Sequence, residues 1–353
     1  MVTKTYKCPS CGAELKWSPT AQCWQCEYCD AKFGEDSLND INQNEQKRFE
    51  ADLDTEPSDG ETVTYKCSYC GAELITTKET AATFCVYCHR PVILEKNLSG
   101  EFKPDMIIPF KNTKEDALNT FKNYIGQLPF LPDDFKNEEN IQKVTGIYIP
   151  FWLVDADLSF CVQGEGDQVT HWSDNHYKYT KTDTYGFIRS GNLEFCSIPA
   201  DASKKTDDKI MDSIEPFDFS EMVPFKMPYL SGFLAEKYDV ELHEVMPRIF
   251  NRCKNTTERN VRGTIHYGAI RKFANDYNIT RQVPRYVLLP VWMLYTQYKD
   301  KSFVFAMNGQ SGKMIGNSPI SVEKVMRFAL LSFLSSSFVA VAASFLFFLG
   351  GTK

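Results

Sequence analysis

The chain changes its hydrophobic rhythm three times. Residues 1–98 hold short apolar runs broken by cysteine pairs and a polar tract, whereas residues 101–324 hold long aromatic and β-branched runs. From Phe328 to Gly350 every residue is uncharged, and Phe333 to Leu349 is apolar or small on every face. In the middle part, Val154, Ala156 and Leu158 alternate with Asp155, Asp157 and Ser159, the period-two pattern of a strand wet on one side. The pattern predicts strand over 145–162, a polar turn at 171–175 and a returning strand over 177–188. Further on, 285–298 and 302–307 form a predicted hairpin around Lys299 and Asp300, and Asn308-Gly309 marks the next tight turn.

Two stretches switch to helical spacing. Thr113, with Asp116 three residues on, makes a variant capping box ahead of the stripe Ala117, Leu118, Phe121, Tyr124 and Ile125, and Gly126 and Pro129 end it. A second helix starts near Asp239, with Val245, Ile249, Phe250 and Cys253 on one face; Pro247 is expected to kink it or delay its start. Strands with one helix per half define an α+β protein. The halves echo each other: Met106 to Lys111 against Met222 to Lys226, and Ile149-Pro150-Phe151-Trp152 against Leu289-Pro290-Val291-Trp292. The expected architecture is therefore a duplicated antiparallel β-rich domain, repeat 1 over 101–215 and repeat 2 over 216–324. Pro150 and Pro290 cannot donate to a ladder, so bulges or edges are their expected places.

The final run, about 34 Å long as a helix, is enough to cross a hydrocarbon core of about 30 Å. It predicts a transmembrane helix over 325–350, a single pass in the cell membrane. Lys313, Lys324 and Arg327 precede it and only Lys353 follows, so the positive-inside rule puts the N-terminal domains in the cytoplasm. Ser336, Ala340 and Ser344 form a small-residue stripe through which two such helices could self-associate.

Cysteine spacing changes the picture of the first part. Cys8-x2-Cys11 and Cys67-x2-Cys70 are each followed, after fourteen intervening residues, by a second pair, Cys26/Cys29 and Cys85/Cys88. Two four-cysteine sets of one spacing predict two zinc ribbons, over 1–34 and 62–98, each holding one structural Zn2+ through Cys8, Cys11, Cys26, Cys29 and through Cys67, Cys70, Cys85, Cys88. Cys23 offers a competing knuckle with Cys26, but aligning the modules sets it opposite Ala82; His89 beside Cys88 reads as an exposed flank. Residues 35–61 are strongly acidic and poor in aromatics, a linker with a short solvated helix over 44–53.

Composition then narrows the function classes. With 353 residues, 43% hydrophobic, the chain can build a real core, and a net charge of -7 argues against a protein dominated by phosphate-backbone binding. Residues 1–7 hold no charged start followed by an apolar run, so no signal peptide is expected, and twelve cysteines then fit thiolate metal sites in a reducing compartment. Gly309-Gln310-Ser311-Gly312-Lys313 has two residues between its glycines where a phosphate loop needs four, and Met314 stands where Ser or Thr should. His243-Glu244 begins a zincin-like motif that Pro247 breaks, and His171 and His176 read as a polar turn. Asp155 and Asp157 read as a solvated strand face, and Cys161, Cys196 and Cys253 as buried small apolar residues. No catalytic or organic-cofactor site emerges, so the expected class is a non-enzymatic binding or scaffold protein. Trp17, Trp24, Tyr69 and Tyr87 are its expected exposed aromatics for a protein partner. The alternative is a nucleic-acid-binding protein of the transcription or replication kind.

The CPxCGAEL-like knuckles, the IPFW and LPVW strands, the FAMNGQSGKMIG stretch (305–316) and the apolar C-terminus resemble the bacterial membrane-associated proteins with TFIIB-type zinc ribbons. Members of that family carry labels taken from the zinc-binding part of the primosomal replication-restart helicase. The resemblance covers nearly the whole chain and implies architecture; without a phosphate loop it implies no helicase activity.

Overall fold

The computed structural model describes residues 6–34, 62–67, 70–88, 90–98, 100–136, 141–299 and 301–350, together with residue 37. The acidic linker, His89 and Tyr69 lie outside the described residues. The strands are β1 (Leu15–Ser18), β2 (Cys23–Cys26), β3 (Lys32–Phe33), β4 (Thr62–Lys66), β5 (Glu73–Thr77), β6 (Thr80–Phe84), β7 (Pro91–Ile93), β8 (Met106–Ile107), β9 (Ile141–Ser173), β10 (Lys178–Asp201), β11 (Val223–Pro224), β12 (Leu234–Glu236), β13 (Ala269–Tyr298), β14 (Lys301–Asn308) and β15 (Met314–Gly316). The helices are α1 (Lys114–Gly126), α2 (Asp208–Ile214), α3 (Leu242–Gly263) and α4 (Val322–Gly350). The fold is α+β and mostly sheet.

A ten-stranded sheet organises the body, in the order β11-β8-β13-β9-β12-β6-β7, with β10 beside β9 and β14-β15 beside β13. Its spine is the antiparallel pair β9 and β13, which places Leu289 opposite Ile149. The neighbours are arranged alike about this point. β8 runs parallel to β13 at Val287 and Leu288, and β12 runs parallel to β9 at Ile147 and Tyr148. Beyond the prolines, β14 takes over beside β13 from Val291, and β10 beside β9 from Phe151. The two Pro-x-Trp motifs thus face each other across the sheet's centre. Met106–Ile107 and Val223–Pro224, expected as equivalent entries, instead pair with one another.

Pro150 and Pro290 lie in the two central strands, not at edges or bulges. The Pro150 carbonyl accepts from the Ala202 N–H at 2.9 Å and that of Pro290 from the Gly309 N–H at 2.8 Å. A strand residue points its N and its C=O to the same side, so each missing N–H faces the gap where one neighbour ends and the next begins. Either ring occupies a place where no ladder bond is due. One strand irregularity of β10 lies between Phe195 and Ile198, where Ser197 takes a φ of 53°. There Asp155 accepts the Ser197 N–H at 2.7 Å and pairs with Arg285 at 2.9 Å, so this carboxylate holds a bulge instead of standing free on a wet face.

The helices follow their local signals. Thr113 accepts from Asp116 N and Asp116 from Thr113 N, and α1 buries Ala117, Phe121 and Ile125. In α3, Glu241 and Glu244 form the capping box, and the helix runs through Pro247 while burying Val245, Ile249, Cys253, Thr257 and Val261 at intervals of four. Pro247 costs the hydrogen bond to the His243 carbonyl but sits near enough to the N-terminus for the helix to survive. Helix α3 covers β9 and β10 through Val154, Ala156, Leu158, Ile198 and Ala200. Cys253 is buried there, whereas Cys161 and Cys196 are exposed, contrary to their expected burial, because each falls on the open side of its strand. The NGQSGK stretch is the turn joining β14 to β15. Buried Asn308 accepts from Gln310 N and Ser311 N at 2.9 Å and donates to the carbonyls of Ile214 and Pro216 at 3.1 Å.

Candidate metal centres

Each four-cysteine set is built from two tight turns. In the first, Cys8 N donates to Ala13 O at 2.6 Å and Gly12 N to Cys8 O at 2.8 Å; its counterpart in the second set joins Cys67 N to Ala72 O at 2.8 Å and Gly71 N to Cys67 O at 2.9 Å. Gly12 and Gly71 both take a φ of 73°, which costs a residue with a Cβ about 1–2 kcal/mol, so glycine there follows from the turn. The turn after Cys26 uses Asp30, at a φ of 56°, for the same step. The first cysteine of each pair (Cys8, Cys26, Cys67, Cys85) is buried, while Cys11, Cys29 and Cys70 face outward and Cys88 is half-buried.

The turns bring the sulfurs together. In each set all four Sγ atoms lie within 4.8 Å of one another. Cys8 to Cys29 is 3.6 Å, Cys11 to Cys26 3.5 Å, Cys67 to Cys88 3.9 Å and Cys70 to Cys85 3.7 Å. Four thiolates around an ion at the Zn–S distance of about 2.3 Å would be spaced about 3.8 Å apart. Every one of these cysteines is free of a disulfide. Cys23 stands outside the group, on β2 opposite Ser18.

The thiols are poised unevenly. Burial opposes ionisation of Cys8 and Cys85, but backbone N–H groups, of Cys11 and Ser10 for the one and of Cys88 and Tyr87 for the other, bring each down to about 7. The Ala13 N–H favours the Cys11 thiolate, yet burial and three neighbouring sulfurs push it up to about 12; Cys88 is pushed up to about 12 by burial and its own three sulfurs. Without a cation, four negative sulfurs cannot share such a space. Both groups could hold a metal ion.

Their setting differs from the expected one. Trp17 and Trp24 are buried, not displayed, and lie in one core cluster with Tyr6, Phe110, Tyr229, Phe233 and Trp292. Trp17 Nε1 donates to the Phe110 carbonyl at 3.1 Å and Trp24 Nε1 to the Pro228 carbonyl at 3.0 Å. The first module is therefore docked on the body of the protein. The second joins it through the backbone: β6 pairs with β12 at Ala235 and Glu236. Among the described aromatics of the two modules, one tyrosine at the same place in each set stays exposed, Tyr28 before Cys29 and Tyr87 before Cys88, at 84% and 68% exposure.

Away from these centres, Arg248 gathers Asp201 at 2.6 Å, Asp208 at 2.9 Å and Asp212 at 2.9 Å, with Arg252 on Glu215 beside it. The sequence did not mark this network, because its members come from three elements. Burial pushes the Asp201 carboxyl up to about 6 against the pull of Arg248. At the C-terminus, one helix over Val322–Val341 is long and apolar enough to cross a membrane, and none of it is buried against the body.

Together these features define an α+β protein with two four-cysteine centres at one end of the sequence and an apolar helix at the other. The chain is 33% identical over 322 residues, 91% of its own length and 92% of the relative's, to the Bacillus subtilis (strain 168) protein described as "Uncharacterized protein YdjG", and it belongs to that protein's family. No protein-family model and no solved structure matches it.

Proposed function

We propose that this is a membrane-anchored cytoplasmic binding or scaffold protein whose two four-cysteine centres each hold one structural zinc ion, and that it has no catalytic activity of its own. The observation that carries this reading is closure of the centres. Four sulfurs at tetrahedral spacing fill every coordination position, leaving none for water or substrate. A bound zinc would neutralise the thiolates and tie two turns together. The chain's own groups do the rest: Trp17 and Trp24 fasten the first module to the body, and Tyr28 and Tyr87 remain for a protein partner. The TFIIB-type ribbon family is the relationship we infer from the knuckles.

The remaining architecture follows the same reading. Helix α4 spans the membrane once, with Lys313, Lys324 and Arg327 on the cytoplasmic side. The matched neighbours of β9 and β13 support descent of the two halves from one duplicated unit, with β8 beside β13 and β12 beside β9 as the equivalent strands. A crosslinked pull-down from membranes, comparing the intact chain with Tyr28→Ala/Tyr87→Ala, tests the partner assignment. Loss of a specific partner in the variant is expected, and an unchanged partner set would remove the ribbons as the recognition surface.

A further inference from the structure

Among the described residues, strand β10 pairs with β9 alone, so along its length the sheet has an open edge. Helix α3 protects the base of this region: Phe187 is buried with Val261 and Ile265 at the helix's end. Beyond that point, from Lys178 to Gly186, β10 is almost wholly exposed. An exposed edge strand of this length presents unpaired N–H and C=O groups, and proteins normally blunt such edges with bulges, prolines or cover. The one irregularity in β10 lies at Phe195/Ile198, far from this stretch.

The residues along the open edge read Tyr179-Thr180-Lys181-Thr182-Asp183-Thr184-Tyr185. This order is a palindrome about Thr182 except that the lysine is answered by an aspartate. A palindrome of this kind is what a strand needs in order to pair antiparallel with a second copy of itself. With the two-fold axis at Thr182, Tyr179 lies opposite Tyr185 of the other copy, Thr180 opposite Thr184, and Lys181 opposite Asp183, each relation occurring twice. Residues opposite one another share a face, so the aromatic and charged pairs all fall on the same side. A residue-centred axis works whichever way the Thr182 amide points, because either Thr182 pairs with itself or Lys181 with Asp183 through the backbone.

The same face already carries the aromatics to extend the pair. Tyr179 stacks on Trp172 at 5.5 Å and 11°, and Tyr185 on Tyr267 at 5.7 Å and 13°. Tyr267 can lie there because Gly166 beneath it has no Cβ, which would come within 2.4 Å of the ring. Joining two edges would line up Trp172 and Tyr179 of one copy with Tyr185 and Tyr267 of the other, twice over. Within one chain Lys181 and Asp183 satisfy each other at 2.9 Å, with the lysine 61% exposed, so the charges are available for exchange between copies.

We propose that the edge of β10 at residues 179–185 is a homodimer interface, joining two copies of this chain through a continuous antiparallel sheet. It is independent of the metal and partner readings. The experiment uses the full-length protein in detergent micelles, with dimer dissociation followed by mass photometry and light scattering, for wild type, Lys181→Asp, Asp183→Lys and the double exchange. Each single reversal sets like charges opposite one another and is expected to weaken the dimer at least tenfold, while the double exchange restores it. Lys181 is exposed and Asp183 half-buried beside it at the surface, and an unchanged far-UV circular dichroism spectrum of each variant checks that folding is kept. A monomeric wild type overturns the proposal. So does a dimer indifferent to the single reversals, as one held by the apolar helix would be, and so does a double exchange that fails to restore pairing.

Discussion

Trp24 lies 4.8 Å from Tyr229, ring centre to ring centre, and donates its indole N–H to the carbonyl of the residue before it, Pro228, at 3.0 Å. The contact ties the first four-cysteine module to a segment 204 residues further along the chain. It makes the module part of the core instead of an appendage.

Truncation at this contact is expected to be costly. Trp24→Ala removes a fully buried ring and orphans the Pro228 carbonyl, a loss of about 3–5 kcal/mol. Thermal unfolding of the full-length protein in detergent checks it. If the module were independent, unfolding of the β9–β13 body would stay unchanged; the expected result is a lower midpoint for the whole transition.

The glycine turns give a second measurement. Gly12→Ala and Gly71→Ala each place a Cβ at a φ of 73°, with open space around it, so backbone strain of about 1–2 kcal/mol is the whole expected effect. Each variant should therefore lose its metal at a lower chelator concentration than wild type. Equal chelator sensitivity would show that the turns are not part of the ligand geometry.

Asp201 sets a pH dependence. Its carboxyl rises on folding from about 3.8 to about 6, chiefly through burial. A carboxyl raised in this way favours the folded state while protonated, so its contribution is full below about pH 4 and is lost as the pH rises through about 6. Comparing unfolding midpoints of wild type and Asp201→Asn from pH 4 to 7 checks the sign. The advantage of wild type over the variant should shrink across this range.

The central prolines should resist replacement. Pro150 is buried, and Pro150→Ala returns an N–H that points into the gap between β12 and β10, where no strand partner waits, so an unsatisfied buried donor is expected to cost about 1–3 kcal/mol. An unchanged midpoint in denaturant unfolding would mean that the returned N–H finds a partner at the junction.

Much of this was legible because it is local. The knuckles are set by spacing within a few residues, Thr113 and Asp116 cap a helix they begin, and the alternation at 154–159 needs only the pleat. What escaped is non-local. Nothing around Trp17 or Trp24 says that Phe110 and Tyr229 will cover them, and the missing N–H that put Pro150 at a bulge or edge does not reveal that β9 changes partners there. Cys161 and Cys196 look like core residues by type, but which face of a strand is covered depends on where α3 comes to rest.

Metal content decides the central claim most directly. Full-length protein purified without chelator and analysed by mass spectrometry of its elements should hold two zinc ions per chain, falling to one in Cys11→Ser or Cys70→Ser, and to none with both. Protein that is folded and metal-free, or that keeps two ions in either single variant, would contradict it.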